Sequence, residues 1–254
     1  MPRANRYFIP HQVYHLTHRC HDREFLLKFA RDRNDYRTKL REGIASFDVS
    51  LLEYSLTRNH VHLLASAEEP DQICGFMQKV EGEFAQYYNR RKQRHGAYWE
   101  DRYHATLIES GEHLEQCMVY IALNMVRCGV VAHPREWDWC GYHELMGRRQ
   151  RYRILDLERV LERMGESSMA QLRQRYEELI REQIAKDQLK REAKWTESIA
   201  VGSEKYVGAM AEVIRGRQRL VIEGEGDTWI LKEPATPYIA FRAPEMSRKD
   251  HYYR

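Results

Sequence analysis

The order of short β-rich segments and longer amphipathic segments in the first half of the chain constrains the fold most. Segments rich in β-branched and aromatic residues alternate with segments whose apolar residues recur every three or four positions, as strands and helices require. In chain order we predict a strand, a helix, two strands, a helix, an extended segment and a helix, at residues 13–19, 24–44, 47–56, 60–65, 70 onwards, 98–108 and 110–129. This order predicts an α+β fold of the ferredoxin-like class, with an antiparallel sheet and packed helices.

Two of the predicted helices carry clear start signals. Pro70 opens the first, and its apolar stripe predicts core packing at Ile73, Phe76, Met77, Val80, Phe84 and Tyr87. Ser110 is the predicted N-cap of the second, with Glu112 close to the positive end of the helix dipole. The predicted apolar face of that second helix consists of Leu114, Cys117, Ile121, Met125 and Cys128.

The character of the sequence changes after residue 147. Residues 154–193 are rich in Glu, Arg, Leu and Gln and are predicted to be helical, and Gly224–Glu225–Gly226 predicts a short hairpin. The tail over 234–254 contains three prolines and is predicted to be poorly ordered. We therefore expect a first domain at 1–147 and a mainly helical accessory region at 148–254.

The distribution of charge favours a phosphate-containing partner, although the net charge is only +3. Residues 1–41 contain ten Lys and Arg against four Asp and Glu, and basic clusters follow at 90–95 and 148–153. Such patches are typical of proteins that bind a phosphate backbone, although any single one is also what a solvated helix end looks like.

Composition excludes several other classes. The five cysteines include no Cys-x-x-Cys pair, which disfavours a disulfide framework or a zinc ribbon. No apolar run is long enough to span a bilayer, and the basic N-terminus leads into no long apolar stretch. We expect a cytoplasmic protein without a membrane partner.

His60 and His62 form the sharpest short feature. Residues two apart on a strand point to the same face, so these imidazoles are predicted to lie side by side, where they could hold one divalent ion. Taken alone the signal is weak, because such pairs occur by chance and more often form a satisfied polar pair.

A second feature lies on the last predicted helix. Helical spacing places Tyr120, Asn124 and Arg127 along one stripe, which could supply a nucleophile, an oxygen ligand and a phosphate contact. The chain has sixteen tyrosines, so periodicity alone does not single out Tyr120.

Together these segments resemble the single-tyrosine HUH transposases, and more closely the REP-associated tyrosine transposases. The resemblance covers roughly residues 6–143, in the correct order. It rests on Tyr14-His15-Leu16-Thr17-His18-Arg19, on His-Val-His after Arg58-Asn59, on Gly96 to Tyr103, on Tyr-Ile-x-x-Asn-x-Val-Arg-x-Gly from Tyr120, and on Trp137 to Tyr142. Two positions depart from the family pattern: Met125 replaces a usual proline, and Cys20 replaces a usual glycine. These departures leave open a degenerate or domesticated copy.

The resemblance implies a metal-dependent DNA strand transferase. His60 and His62 would bind Mg²⁺ or Mn²⁺, with Asn124 as a third ligand, and Tyr120 would attack the scissile phosphate to form a 5′-phosphotyrosine. Arg127 would contact the phosphate, and the expected contacts to the DNA backbone are Arg19, Arg23, Arg58 and Arg102. Trp99 and Tyr103 could stack on bases or pack in the core.

The implied partner is single-stranded DNA that contains a hairpin. A homodimer is compatible with the resemblance, which leaves open whether Tyr120 acts in its own subunit or in a neighbouring one. Residues 195–203 resemble a segment of longer family members to which we assign no chemistry; an accessory DNA-binding or partner-binding role and a structural role both stay open.

Three other functions remain alternatives. The main one is a non-catalytic DNA- or RNA-binding regulator on the same fold, and the joint presence of Tyr120 and both histidines argues against it. A replication-initiation nickase often carries a helicase, yet no Gly-x-x-x-x-Gly-Lys-Ser/Thr loop is present. A metallohydrolase that activates water would have no need of Tyr120.

Overall fold

The computed structural model describes residues 6–186, 189–214 and 220–234. Nearly all of the tail for which the sequence predicts poor order lies outside these residues. The strands are β1 (Val13–Arg19), β2 (Ser50–Leu56), β3 (His60–Ser66), β4 (His104–Ile108), β5 (Ala200–Gly202), β6 (Val221–Glu225) and β7 (Thr228–Lys232). The helices are α1 (Ala30–Phe47), α2 (Pro70–Lys92), α3 (Glu112–Ala122), α4 (Asn124–Arg127), α5 (Tyr142–Leu145), α6 (Leu157–Met164), α7 (Met169–Ala185), α8 (Lys194–Glu197) and α9 (Glu204–Ile214).

The first four strands lie side by side in the order β2-β3-β1-β4, and each neighbouring pair is antiparallel. Helix α1 connects β1 to β2, and α2 connects β3 to β4. This is the ferredoxin-like arrangement that the sequence predicts, so the predicted fold class is confirmed.

The register between β1 and β3 determines which side chains share a face. Thr17 lies opposite His62, and Arg19 lies opposite His60. Because side chains alternate along a strand, His15 shares this face with both pairs. Helix α3 covers the face, since its Tyr120 ring lies 6.2 Å from the rings of His15 and His62.

The opposite face of the sheet is covered by α1 and α2. His18 of β1 points to this side, where it contacts Glu81 of α2. Apart from Tyr87, the predicted stripe of α2 is fully buried. The two helices approach closely at Gly43, where a Cβ atom would lie 2.6 Å from a Val80 methyl group.

Helix α1 begins at Ala30, so the predicted start at residue 24 is wrong. Residues 21–23 form a 3₁₀ turn in which Asp22 and Arg23 have positive φ angles of 50° and 58°. The following loop is held by the Arg33 side chain, which donates to the carbonyl of Leu27 at 2.7 Å. Leu27 is fully buried. The loop therefore packs an apolar residue into the core without forming a helix.

Helix α3 starts one position later than the sequence predicts. Gly111, with a φ angle of 81°, is its N-cap in place of Ser110. The helix is interrupted at Leu123, after which α4 supplies one more turn. Cys128 lies beyond that turn and is exposed, so its predicted place on the apolar face is wrong.

The sheet continues beyond β4 into the C-terminal region. β5 pairs in parallel with β4, and the β6–β7 hairpin extends the sheet antiparallel to β5. The predicted hairpin and the mainly helical character of this region are confirmed. No break in the sheet marks the expected division between residues 147 and 148, which stays a proposal that truncation can test.

Within the described part of the chain, no helix has the length and apolar character needed to cross a membrane.

Candidate active site

The predicted functional residues of β3, α3 and α4 converge on one pocket. The pocket has a volume of about 520 Å³, and its lining includes His60, His62, Tyr120, Asn124 and Arg127. The ring centroids of His60 and His62 lie 5.0 Å apart, and Tyr120 faces His62 edge-on at 6.2 Å. The histidine pair of β3 and the helical stripe that begins at Tyr120, sixty positions after His60, therefore lie in the same pocket.

His60 is held as a neutral imidazole with one nitrogen available. Its Nδ1 lies 2.8 Å from Asn59 Oδ1 and 2.9 Å from the Thr57 hydroxyl oxygen. A side-chain carbonyl oxygen can only accept, so His60 Nδ1 carries the proton. Burial lowers the pKa of His60 to about 4, with a smaller contribution from the charge of Arg19. The lone pair on Nε2 is therefore free to bind a cation.

His62 is more deeply enclosed. Its Nδ1 lies 2.9 Å from His15 Nε2, and its Nε2 accepts from the Asn124 amide nitrogen at 2.9 Å. Burial, followed by the neighbouring His60 and His15, holds the pKa of His62 well below its ordinary value of 6.5. Like His60, it is a neutral base at physiological pH.

The sequence reasoning missed His15, which is fully buried in the middle of this site. Its Nδ1 donates to the carbonyl oxygen of Trp195 at 2.8 Å, and burial lowers its pKa to about 3. Period-two alternation along β1 was a usable signal, because it places His15 on the same face as Thr17 and Arg19. The contact with Trp195, 180 positions away, has no such signal.

Tyr120 and Arg127 form a tight pair about two helical turns apart. The guanidinium carbon of Arg127 lies 4.0 Å from the centre of the Tyr120 ring. Both terminal nitrogens of Arg127 also donate to the Tyr120 carbonyl oxygen at 3.2 Å. Burial raises the pKa of Tyr120, and the charge of Arg127 opposes this rise. Arg127 is therefore already bound to Tyr120, and only the N–H groups that it does not donate to Tyr120 can contact a phosphate.

The donor set fits a divalent cation, although it is small. The described residues contain no group of three or more His, Cys, Asp or Glu that could hold a metal ion. The pocket instead offers two neutral imidazoles and the Asn124 Oδ1 atom, which is buried and has no hydrogen-bond partner. Such an orphaned acceptor is rare in folded proteins and is what an oxygen ligand requires.

Residues 9–124, which include both histidines, Tyr120 and Asn124, match the family model described as Transposase IS200 like. This stretch of the chain is therefore similar to the IS200-like transposases. Over 120 residues the chain is 23% identical to a putative REP-associated tyrosine transposase of Haemophilus influenzae; the match covers 43% of this chain and 68% of the relative.

A solved structure, of a REP-associated tyrosine transposase bound to a REP hairpin, is also similar. The TM-score is 0.51 at 17% sequence identity, over 58% of this chain and 87% of the other. At this identity the likeness shows a shared fold.

The predicted DNA-binding arginines fall into two groups. Arg19 and Arg102 line the pocket and are exposed. Arg23 and Arg58 are also exposed but lie outside the pocket lining, in two loops joined by the hydrogen bond from the Asn59 side-chain amide to the Arg23 carbonyl. The C-terminal region adds cationic lining that the sequence did not single out, in the form of Arg191.

Two aromatic residues considered for base stacking are engaged within the protein. Trp99 stacks on His18 at 4.1 Å and donates its ring N–H to the Glu81 carbonyl. Tyr103 is buried, with the guanidinium carbon of Arg6 lying 4.2 Å from its ring centre. Both contacts support the core-packing alternative.

Proposed function

We propose that this chain is a divalent-metal-dependent transposase that cleaves and rejoins single-stranded DNA through a covalent 5′-phosphotyrosine at Tyr120. The observation that carries the proposal is the convergence of Tyr120, His60, His62 and Asn124 on one pocket, all four within the stretch that matches the IS200-like transposase family model. A phenol, two neutral imidazoles and a free amide oxygen are what covalent, metal-assisted phosphoryl transfer requires.

In this proposal the two histidines and Asn124 hold the cation. His60 and His62 would bind through their Nε2 lone pairs and Asn124 through Oδ1, once the Asn124 amide nitrogen gives up the hydrogen bond that it donates to His62 Nε2. A bound Mg²⁺ or Mn²⁺ acts as a Lewis acid that withdraws charge from the scissile phosphate. Two nitrogens and one oxygen leave coordination positions open, unlike a closed structural zinc site.

Tyr120 is the proposed nucleophile. Its phenolic oxygen forms a bond to phosphorus and loses its proton to solvent, while the bond from phosphorus to the 3′ oxygen breaks and that oxygen is protonated to a free 3′-hydroxyl. Because a buried phenol ionises reluctantly, the Arg127 guanidinium at 4.0 Å supplies charge that favours the phenolate. The covalent bond conserves the phosphodiester energy, so rejoining needs no nucleotide hydrolysis.

The proposed substrate is single-stranded DNA next to a hairpin. The structural neighbour is described as bound to a REP hairpin, and the exposed Arg19 and Arg102 at the pocket suit a DNA backbone. Opening a duplex costs about 1.4 kcal/mol per base-pair step, so a strand that is already unpaired is the better substrate. A cytoplasmic location and a homodimer stay part of the proposal.

The test is covalent capture of DNA. Hairpin-containing single strands from the DNA that flanks the gene are incubated with the full chain and Mn²⁺ or Mg²⁺, and a protein–DNA adduct is sought on a denaturing gel. Tyr120→Phe should abolish the adduct and keep DNA binding, whereas Tyr103→Phe, also buried but outside the pocket lining, should keep both. Binding without any adduct in the wild type would favour a non-catalytic regulator.

A further inference from the structure

We infer that His15 and the backbone carbonyl of Trp195 form a positioning pair that holds His62 in the tautomer with a proton on Nδ1 and a bare Nε2. The effect of this tautomer on cation binding rests on the proposed function, in which the unprotonated Nε2 of His62 is a ligand atom. The tautomer itself follows from three consecutive hydrogen bonds, of 2.8, 2.9 and 2.9 Å, that run from Trp195 through His15 and His62 to Asn124.

The direction of each bond follows from chemistry. A backbone carbonyl oxygen can only accept, so His15 Nδ1 donates to Trp195. A neutral imidazole has a single N–H, so His15 Nε2 accepts, and His62 Nδ1 must be its donor. His62 Nε2 is then left with a lone pair, which faces the amide nitrogen of Asn124 at 2.9 Å. The carbonyl of Trp195 thus specifies the proton position on a ring that it does not touch.

The surroundings enforce this order. His15 is fully inaccessible, and its ring plane is nearly parallel to that of His62, at 19°, with centroids 5.0 Å apart. Water therefore cannot replace a missing donor or acceptor between the two rings. The other tautomer of His62 would place two lone pairs opposite each other at 2.9 Å in a buried site.

The carbonyl of Trp195 is itself well fixed. The Thr106 hydroxyl lies 3.2 Å from it and donates to the nearer Ser198 carbonyl at 2.8 Å, and the Trp195 ring lies 6.0 Å from that of Tyr120. Shortly afterwards the chain joins the sheet, where the Leu107 amide donates to the Ile199 carbonyl at 2.8 Å. The segment from Trp195 to β5 thereby connects the C-terminal region to the candidate metal ligands, a role for which the sequence offered no chemistry.

Removing His15 should change His62 in a measurable way. In His15→Leu the Nδ1 proton of His62 loses its acceptor, and the proton is expected to move to Nε2, where the Asn124 amide can turn its oxygen to accept. That proton occupies the ligand atom. Loss of such an outer hydrogen-bond partner lowers metal affinity by about 10–100-fold in known sites, and we expect Mn²⁺ affinity to fall within that range.

The experiment uses the full chain labelled with ¹⁵N-histidine. Long-range ¹H–¹⁵N correlations report which nitrogen of each neutral ring carries the proton, and the spectrum of His62→Gln identifies the His62 signals. Mn²⁺ affinity is measured in parallel by electron paramagnetic resonance of the free ion. His15→Gln, whose amide can donate to Trp195 and accept from His62, should keep the wild-type tautomer.

The matched control is His113→Leu. His113 of α3 is also buried and has its Nε2 3.1 Å from the carbonyl oxygen of Asp227, but it lies outside the lining of the pocket. This variant should leave both the His62 tautomer and the Mn²⁺ affinity unchanged.

The wild-type spectrum alone can overturn the inference, so the result does not depend on whether His15→Leu folds. A proton on Nε2 of His62 in the metal-free wild type contradicts it. A folded His15→Leu with unchanged Mn²⁺ affinity also contradicts it. A proton on Nδ1 with no Mn²⁺ binding would support the tautomer and contradict the metal role in the proposed function. Failure of Tyr120 to form an adduct would leave the positioning pair intact.

Discussion

At the scale of single residues, His60 and His62 have different surroundings and should respond differently to removal. His62→Ala deprives His15 and Asn124 of a buried hydrogen-bond partner, whereas His60 bonds to Thr57 and Asn59 of an adjacent turn. We expect His62→Ala to lower the free energy of unfolding by about 1–3 kcal/mol and His60→Ala by roughly 1 kcal/mol or less. Urea unfolding in a metal-free buffer measures both values.

Both alanine variants should nevertheless lose the covalent DNA adduct, because each removes one of three proposed ligands. Chelation of the wild type should do the same, and added Mn²⁺ or Mg²⁺ should restore the adduct. Tightly bound zinc, detected by elemental analysis and shown by X-ray absorption to have four protein ligands, would contradict the open site proposed for these histidines.

Glu53 of β2 gives the protein a pH dependence that is separate from the candidate active site. It is fully buried, and the Tyr176 hydroxyl donates to it at 2.7 Å. Burial raises the pKa of Glu53 from 4.5 to about 8. The folded protein therefore keeps a proton that the unfolded chain loses above pH 4.5. The resulting stabilisation is present below that pH and is lost as the pH rises to about 8, at roughly 1.4 kcal/mol per pH unit.

Glu53→Gln keeps a neutral side chain at all pH values, so we expect it to remove this slope. Unfolding in urea between pH 5 and pH 8 should show the wild type losing stability relative to the variant as the pH rises. Glu178→Gln on α7 is exposed and should follow the wild type. Parallel curves for Glu53→Gln and the wild type would show that Glu53 is ionised in the fold.

At the scale of helices and strands, the sequence predicts well what local periodicity encodes. The strand from Val13 to Arg19 and the helix from Pro70 carry periods of two and of three to four, and both lie where predicted. β5 has three residues, too few for any period, and its parallel pairing with β4 joins segments about 90 positions apart. His15 illustrates the same limit in the site, because its partner Trp195 directly precedes that non-local pairing.

Gly43 of α1 and Gly82 of α2 have opposite surroundings, and only Gly43 lies at the contact between the two helices. A Cβ atom on Gly43 would meet Val80 and Phe76 at 2.6 and 2.9 Å, and both are buried side chains with little freedom to move. We expect Gly43→Ala to destabilise the protein by about 1–3 kcal/mol. Gly82 of α2 has open space around its Cα, so Gly82→Ala should stabilise it by roughly 0.5–1 kcal/mol. Thermal unfolding of both variants checks the pair, and a destabilised Gly82→Ala would contradict the argument.

At the scale of the whole molecule, the described residues share one sheet and one core. Tyr176 of α7 bonds to Glu53 of β2, and Trp195 bonds to His15 of β1. The composition change after residue 147 is real in the sequence, yet the C-terminal region completes both the sheet and the lining of the candidate site. These contacts join positions more than 100 residues apart. The composition of a segment does not predict such long-range contacts.

Truncation at Gly147 tests whether residues 1–147 fold as an independent domain or need the C-terminal region. The truncated chain would lose β5–β7, leave the buried Glu53 without the Tyr176 hydroxyl and leave His15 without the Trp195 carbonyl. We expect a marked loss of cooperative unfolding in urea and, in any folded fraction, Mn²⁺ binding at least as weak as in His15→Leu. A chain that ends at Pro234 keeps every described residue and should behave like the wild type. If the shorter chain instead folds cooperatively and binds Mn²⁺ with wild-type affinity, residues 1–147 form an independent domain and the C-terminal region is accessory.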